Sequence, residues 1–567
     1  MLQIIGGPVA PDGYTWYQVT GPFTELNAVS PLLPGLWVAV NGGTTDYVVP
    51  CTPPNTTVVA AGISGYAVGT PGVAPSGTGI DRGRVFSPDA DGIHDTLPLH
   101  WTNNLAFDDV TVSVYRADGK VAGTIDLGAR PTGAQSLTWN GKVDGGTAPL
   151  PDGQYILRIR GVAGSTSYDS PSPAPFTSTQ WISFGVLIDT TPTGTYYPVA
   201  PVRILDTRSS ASPGPLQAGK TRSFAVGGKN GVPANAIAVT GNLTVTQATV
   251  AGFVRLGSST AGTNSTINFK AGDNRANGVM LGLAADGTLS ALYTTSTGKG
   301  TVQIIFDLTG YFVRDAHGDT YFPVTPTRLV DTRIKQGISA PLVANKPVGF
   351  QVTGLAHVPS NATAVTGNAT VVGMTLIGYI AIAPSFKPGV VPGTSTLNFP
   401  LSDIRANNLV VQLAGGRLQV EYVAKAGGTV QFIFDITGYF VPGLSGATFV
   451  PIPPTRLVDS RSGLGYRGPL ATGSATSVAV SGQASVDPVA VAVVGNLTVT
   501  EQTSGGWLAA GPGKATSTST LNFPVGENRA NGFVSVFGSG GSLTVTYGGG
   551  AKGATTQFIV DVVGYFR

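Results

Sequence analysis

Three stretches of this chain set Arg, Asp and Arg at the same offsets: "PVRILDTR" from Pro201, "PTRLVDTR" from Pro326 and "PTRLVDSR" from Pro454. Each is followed by a further recurring Arg and Asp. The first copy carries Arg203, Asp206, Arg208, Arg275 and Asp307. The second carries Arg328, Asp331, Arg333, Arg405 and Asp435, and the third Arg456, Asp459, Arg461, Arg529 and Asp561. Guanidinium and carboxylate groups pair as bidentate forks. Such a set can bolt a fold together, or it can line a pocket for an acidic sugar, a phosphate or a carboxylate. Charge balance favours the bolt, because three Arg against two Asp leave little positive charge for an anion. On a straight strand Arg203 and Asp206, three apart, point to opposite faces, whereas Asp206 and Arg208 share one. Arg275 and Asp307 come from elsewhere in the copy and fit either group.

Other chemistry is sparse. In "SPDADGIHD", Asp89, Asp91 and Asp95 gather hard oxygens on a compact loop, the donor type that Ca²⁺ takes. The loop lacks the bidentate Glu of an EF-hand, Asp-Gly pairs are also ordinary turn formers, and His94 reads as exposed. Four histidines, His94, His100, His317 and His357, do not recur between copies, and no Ser or Cys sits in a nucleophile elbow. Glutamates are confined to Glu25, Glu421, Glu501 and Glu527, so a glycosidase pair would need Asp. Asp206 with Asp307 is the formal pair, but flanking Arg would depress both pKa values, which disarms a general acid. The expectation is a protein without catalytic residues. Trp507 stands where the other copies have Phe253 and Tyr379 and is a candidate sugar platform. Tyr311, Tyr439 and Tyr565, from the closing "GYF", read as core or as caps against the next module. N-x-T matches such as Asn242 and Asn496 read as Thr-rich strand composition.

These residues must be held by strands. The 567 residues contain 79 Gly and 41 Pro, 42% hydrophobic and 11% charged residues, a composition of many short strands joined by turns. "AIAVTGNLTVT" alternates, with Ile237, Val239, Leu243 and Val245 on one face and Thr240, Asn242, Thr244 and Thr246 on the other. "TVQIIFDLTGYF" puts Val302, Ile304, Phe306 and Leu308 on one face but Ile305 and Asp307 on the second, as in a central strand covered on both sides. No helix signal exceeds a turn or two. The fold expected is all-β: a multi-domain chain of antiparallel β-sandwiches behind a small N-terminal β-barrel-like fragment. The repeats fall at 196–314, 320–442 and 448–567, a period of about 125 residues set by the recurring Asp. That is domain-sized rather than solenoid-sized. An immunoglobulin-like sandwich is expected over 82–192, with Trp101 and Trp139 in its core, a flexible linker over 61–81 and a partial small domain over 1–60.

Three resemblances add to this. "SPDADGIHDTL", "WNGKVDGG" and "LPDGQY" resemble the immunoglobulin-like domain of flagellar hook-capping proteins; related "SPNGDG"-type loops strengthen the Ca²⁺ reading, although Ala90 here replaces a Gly. "GGPVAPDGYTWYQVTGP" and "GLWVAV" resemble the second half of a bacterial Src-homology-3-like domain. The P-x-R-[IL]-[LV]-D-[TS]-R, R-A-N and D-x-x-G-Y-F segments resemble a tandem module at the C-termini of secreted actinobacterial proteins, cell-wall hydrolases and peptidases among them. That last resemblance implies an extracellular or cell-surface location and an accessory role.

A net charge of +3 without a basic run excludes a nucleic-acid partner, and no stretch reaches the length of a membrane span. The single cysteine, Cys51, excludes an intrachain disulfide framework. The start "MLQIIGGPVAPDG" has no basic n-region, so an exported form would carry its leader upstream of Met1. The leading functional expectation is a non-catalytic secreted or surface protein. Its three modules, on short linkers, would bind cell-wall or extracellular polysaccharide multivalently. The alternatives are a self-associating spacer, adhesin stalk or fibre, and the accessory tail of an upstream cell-wall hydrolase or peptidase.

Overall fold

The structure is a computed structural model that describes residues 85–116, 118–170, 185–210 and 214–567, with four earlier strands. These strands are β1 (Gln3–Val9), β2 (Thr15–Thr20), β3 (Leu36–Val40) and β4 (Ile63–Val68). The described residues form an all-β chain, broken only by short 3-10 turns at Thr332–Ile334 and Ser539–Gly541. No helix among them is long and apolar enough to cross a membrane. Two compact units divide the chain, one formed by most of the residues up to Thr190 and the other by Thr191–Arg567 together with Asp91–Ile93.

In the first unit, β1, β2 and β3 form a three-stranded antiparallel sheet. The remainder of the expected Src-homology-3-like fragment lies outside the described residues. The immunoglobulin-like part follows, with β5 (Val85–Phe86), β6 (Leu97–Asn103), β7 (Asp109–Arg116), β8 (Val121–Asp126), β9 (Gly133–Trp139), β10 (Gly153–Ala163), β11 (Thr166–Ser170) and β12 (Gly185–Ile188). One sheet runs β5-β12-β10-β7-β8 with β11 beside β10, and the other runs β4-β6-β9. Trp101 and Trp139, each 2% exposed, fill the core between them. The strand β4 lies inside the stretch expected to be a linker: its backbone pairs with β6, although its Gly and Ser residues read as linker composition. Residues 69–81 lie outside the described set.

The second unit holds the three repeats. In the first, the strands are β13 (Thr195–Asp206), β14 (Leu216–Gln217), β15 (Thr221–Ala225), β16 (Ala236–Thr246), β17 (Gly252–Gly257), β18 (Ile267–Phe269), β19 (Arg275–Gly282), β20 (Thr288–Thr294) and β21 (Thr301–Val313). One sheet is ordered β19-β16-β21-β13 and the second β15-β20-β17-β18. Two four-stranded sheets in this order make a jelly roll, and the later repeats reproduce it strand for strand.

The sheet carrying β16 is covered twice. Val239, Leu243 and Val245 enter the core of their own repeat, as their alternation predicts. Yet Thr240, Asn242, Thr244 and Thr246 on the other face are buried too. That face is the joint with a neighbouring repeat, so a pattern that looks polar-out is covered on both sides. The joints run in a cycle. Tyr196 pairs with Asp319, Tyr321 with Ala447, and Phe449 back with Gly194, so the third repeat closes onto the first.

At this end of the cycle Phe312, Phe440 and Phe566 gather with centroids 6.0 to 6.4 Å apart. Each also packs on the opening aromatic of another repeat: Tyr196 on Phe440 at 4.2 Å, Tyr321 on Phe566 at 4.1 Å and Phe449 on Phe312 at 4.6 Å. These aromatics belong to one continuous core cluster that takes in residues of all three repeats. The picture of modules strung on short linkers is thereby replaced: the second unit is a closed, pseudo-threefold body.

Candidate functional site

The opening motif lies on β13 against β21. A register shift between Arg203 and Leu205 undoes the strict alternation of the strand, because a bulge turns successive side chains to the same side. Arg203 therefore reaches both carboxylates. Its Nε and Nη2 donate to the two oxygens of Asp307 at 2.8 and 3.2 Å, and its Nη1 donates to Asp206 at 3.4 Å. Arg208 then forks onto Asp206 at 2.8 and 2.7 Å. The same bulge and the same forks recur at Arg328, Asp331, Arg333 and Asp435, and at Arg456, Asp459, Arg461 and Asp561.

The exposures grade the network. Asp307, Asp435 and Asp561 are at most 2% exposed, and Arg203, Arg328 and Arg456 are 32%, 18% and 19% exposed. Burial pushes the inner carboxylates above their usual range, against the pull of the Arg beside each. The outer carboxylates Asp206, Asp331 and Asp459 are held below it by the hydrogen bonds from Arg208, Arg333 and Arg461. The network also crosses the joints: Arg328 donates to the carbonyl of Ser517 at 2.5 Å and Arg456 to that of Thr263 at 3.1 Å.

Arg275, Arg405 and Arg529 join neither group. Each lies on the R-A-N strand of its repeat, at most 6% exposed, between the acid two residues before it and the acid of a neighbouring repeat. Following the contacts gives Arg275, Asp273, Arg405, Asp403, Arg529, Glu527 and back to Arg275. The result is a closed ring of alternating charge, neutral in sum and therefore no anion site. Burial alone would raise the pKa of Glu527, but Arg529 and Arg275 hold it far below the usual range.

Beside this ring lies a ladder of asparagines. Asn277, Asn407 and Asn531 donate to Asn496, Asn242 and Asn368 of the neighbouring repeats at 3.0, 2.8 and 3.0 Å. Their side-chain oxygens accept the backbone N–H of Gly532, Gly278 and Asn408 at 2.7, 2.7 and 3.0 Å. The sequence reading missed these residues and the acids Asp273, Asp403 and Glu527. Their signal was present, an Asn in each R-A-N and an acid two places before each of its Arg, but their partners lie in another repeat. Asn242 and Asn496, read there as strand composition, are 7% exposed and serve the joint.

In the loop between β5 and β6, Asp89, Asp91 and Asp95 come together, with one oxygen of each within 4.8 Å of the others. Asp95 accepts the N–H of Ala90 at 2.9 Å and Asp91 that of Ile93 at 2.8 Å, so the carboxylates also shape the loop. Ala90 has φ +65° and His94 φ +54°, left-handed conformations that cost a residue with a Cβ. The second of these residues is exposed.

The strands that follow this loop decide the comparison with known proteins. Residues 94–165 match the FlgD Ig-like domain. The "Basal-body rod modification protein FlgD" of Escherichia coli (strain K12) is 32% identical over 139 residues, which is 24% of this chain and 55% of that protein. Its counterpart in Salmonella typhimurium is 29% identical over 138 residues, with the same shares. The chain thus spans about half the length of these relatives, and the FlgD-like likeness concerns one domain. A solved structure described as "The Triple Jelly Roll Fold and Turret Assembly in an Archaeal Virus" aligns with 67% of this chain and 91% of its own, at 10% identity and a TM-score of 0.15. So low a score carries no argument.

In the FlgD-like domain, a hairpin joins β7 to β8, with Gly119 at φ +80°. Tyr155, in "LPDGQY", donates to the carbonyl of Pro151 at 2.8 Å.

Proposed function

We propose that this chain is a non-catalytic secreted or cell-surface protein that binds cell-envelope or extracellular polysaccharide through its three-repeat body. The observation that carries this is the fate of the recurring charges. Every Arg and Asp of the motif is engaged in an internal fork, and the R-A-N arginines close a neutral ring. That supports a scaffold role for the charges and leaves binding to the joint surfaces they hold in shape. The likeness of the repeats to the C-terminal module of secreted actinobacterial proteins belongs to this reading.

Because the repeats form one body, three joints of the same plan are presented at fixed spacing, which favours avidity toward a repeating polymer wherever more than one of them binds. Co-sedimentation of the whole chain with purified envelope polysaccharide is the test. Retention that free polymer competes away is expected; passage in the supernatant at every polymer concentration would reject the reading.

A second reading, a self-associating structural element, draws on the FlgD-like domain, since the relatives are named for basal-body rod modification. Growth of the particle with concentration in small-angle scattering, without polysaccharide retention, would favour it. A Ca²⁺ ion held by Asp89, Asp91 and Asp95 is part of the proposal, with the oxygen cluster as its support. A melting temperature of the FlgD-like domain that rises with added Ca²⁺ and falls with chelator is the expected sign.

A further inference from the structure

The three joints are alike in plan but not in lining. Where the second repeat meets the third, a cavity of about 280 Å³ opens beside Arg328 and Arg333. Its floor from the second repeat includes Val372 and Ile404, and its far wall from the third repeat is Trp507. At the corresponding positions the first repeat has Thr246, Asn274 and Phe253. There Thr246 donates to Asn274, which makes that floor polar. The third repeat has Thr500 and Asn528, and Tyr379 replaces the Trp in the second. Two polar-to-apolar changes and the largest aromatic therefore meet in one joint, from two repeats far apart in sequence.

The other two platforms are engaged. Tyr379 donates its hydroxyl to the carbonyl of Pro392 at 2.9 Å. Phe253 has the guanidinium of Arg255 over its ring at 5.7 Å. Trp507 packs instead on the backbone of Gly548, its cross-strand partner, where an added Cβ would fall 2.2 Å from the ring. Thr294 and Val423 fill that place in the other repeats, so the Gly is what seats the larger ring. The cavity is also bordered by Thr370, whose buried Oγ1 has no hydrogen-bond partner in the structure. Thr244 and Thr498 share that state, so the buried hydroxyl is a property of the repeat and not of this cavity.

The geometry points to a saccharide subsite in this joint, selective for a neutral N-acetylhexosamine residue. An aromatic face stacks on the apolar face of a pyranose ring. The Val372 and Ile404 floor takes the methyl of an acetamido group, and the Thr518 and Ser519 edge supplies polar partners. A charged sugar is disfavoured, since Asp435 and Asp331 already neutralise Arg328 and Arg333. The inference rests on the polysaccharide reading above and sharpens it to one joint and one sugar class.

The test is ligand-observed NMR with the soluble β-1,4-linked N-acetylglucosamine tetramer and the whole chain. Trp507→Ala is expected to weaken binding about tenfold or more, equivalent to about 1.4 kcal/mol. Should Trp507→Ala fail to fold, Trp507→Phe introduces the residue found at position 253, and Val372→Thr with Ile404→Asn restores the polar floor. Both are expected to weaken binding with the melting temperature kept, while Tyr379→Ala is expected to leave it unchanged. Equal binding by all variants would overturn the subsite and leave the polysaccharide reading standing. Retention on envelope polysaccharide without any tetramer binding would overturn the sugar class. Failure of both polymer and tetramer to bind would reject the parent reading and this one together.

Discussion

Arg328 shows most plainly what the motif does. Its fork meets Asp435, 2% exposed, and its remaining nitrogen reaches Asp331. Removing one member of such a buried pair costs about 3–5 kcal/mol, because the other charge is left unpaired. Arg328→Met is therefore expected to lower urea stability by about that amount at pH 7. Burial has already raised the pKa of Asp435 above its unfolded value, and losing Arg328 raises it further. The cost of the lone carboxylate is thus present at high pH and fades as pH falls through the folded pKa. The deficit of the variant relative to the parent is expected to shrink as the pH is lowered from neutral through the folded pKa of Asp435; a deficit independent of pH would contradict the assignment. The recurrence of these residues was plain in the sequence, and so was the preference for a bolt. That Arg203 meets Asp206 was not, since the bulge that brings them together leaves no mark in an alternating pattern.

At the scale of strands, alternation located β16 and β21 and the faces that fill their own core. It left the surroundings of the Thr and Asn face of β16 open, because polar residues that pair across a joint look the same in sequence as residues facing water. One concerted change shows how closely that face is matched. In the first two repeats Tyr196 and Tyr321 share hydrogen bonds with Thr240 and Thr366 at 3.0 Å, and donate to the carbonyls of Thr309 and Thr437 at 3.1 Å. The third repeat has Phe449, Val494 and Val563 at these places, so hydroxyl and partners vanish together, which is close to neutral, whereas orphaning one member is not. Phe449→Tyr alone is expected to cost about 1–3 kcal/mol, read by thermal unfolding. The triple variant Phe449→Tyr, Val494→Thr, Val563→Thr is expected to recover most of that loss; no recovery would mean that the swap has another cause.

At the scale of the whole second unit, three repeats close into one body through the aromatic cluster, the asparagine ladder and the charge ring. The repeats themselves were legible, because each copy preserves its turns and strand patterns. Closure was not, since its donors and acceptors are distributed over partners more than 120 residues apart, as with Asn531 and Asn368 or Arg405 and Asp273. Near the axis Gly278 passes so close to the second repeat that an added Cβ would fall 1.8 Å from the carbonyl oxygen of Asn408. A body joined this way should open as a unit. Native-state hydrogen exchange on the whole chain carrying Phe566→Ala tests this most directly. Loss of protection is expected to spread to the strands Arg275–Gly282 and Arg405–Gln412 of the first and second repeats; loss confined to the third repeat, with the other two protected as before, would contradict a single closed body.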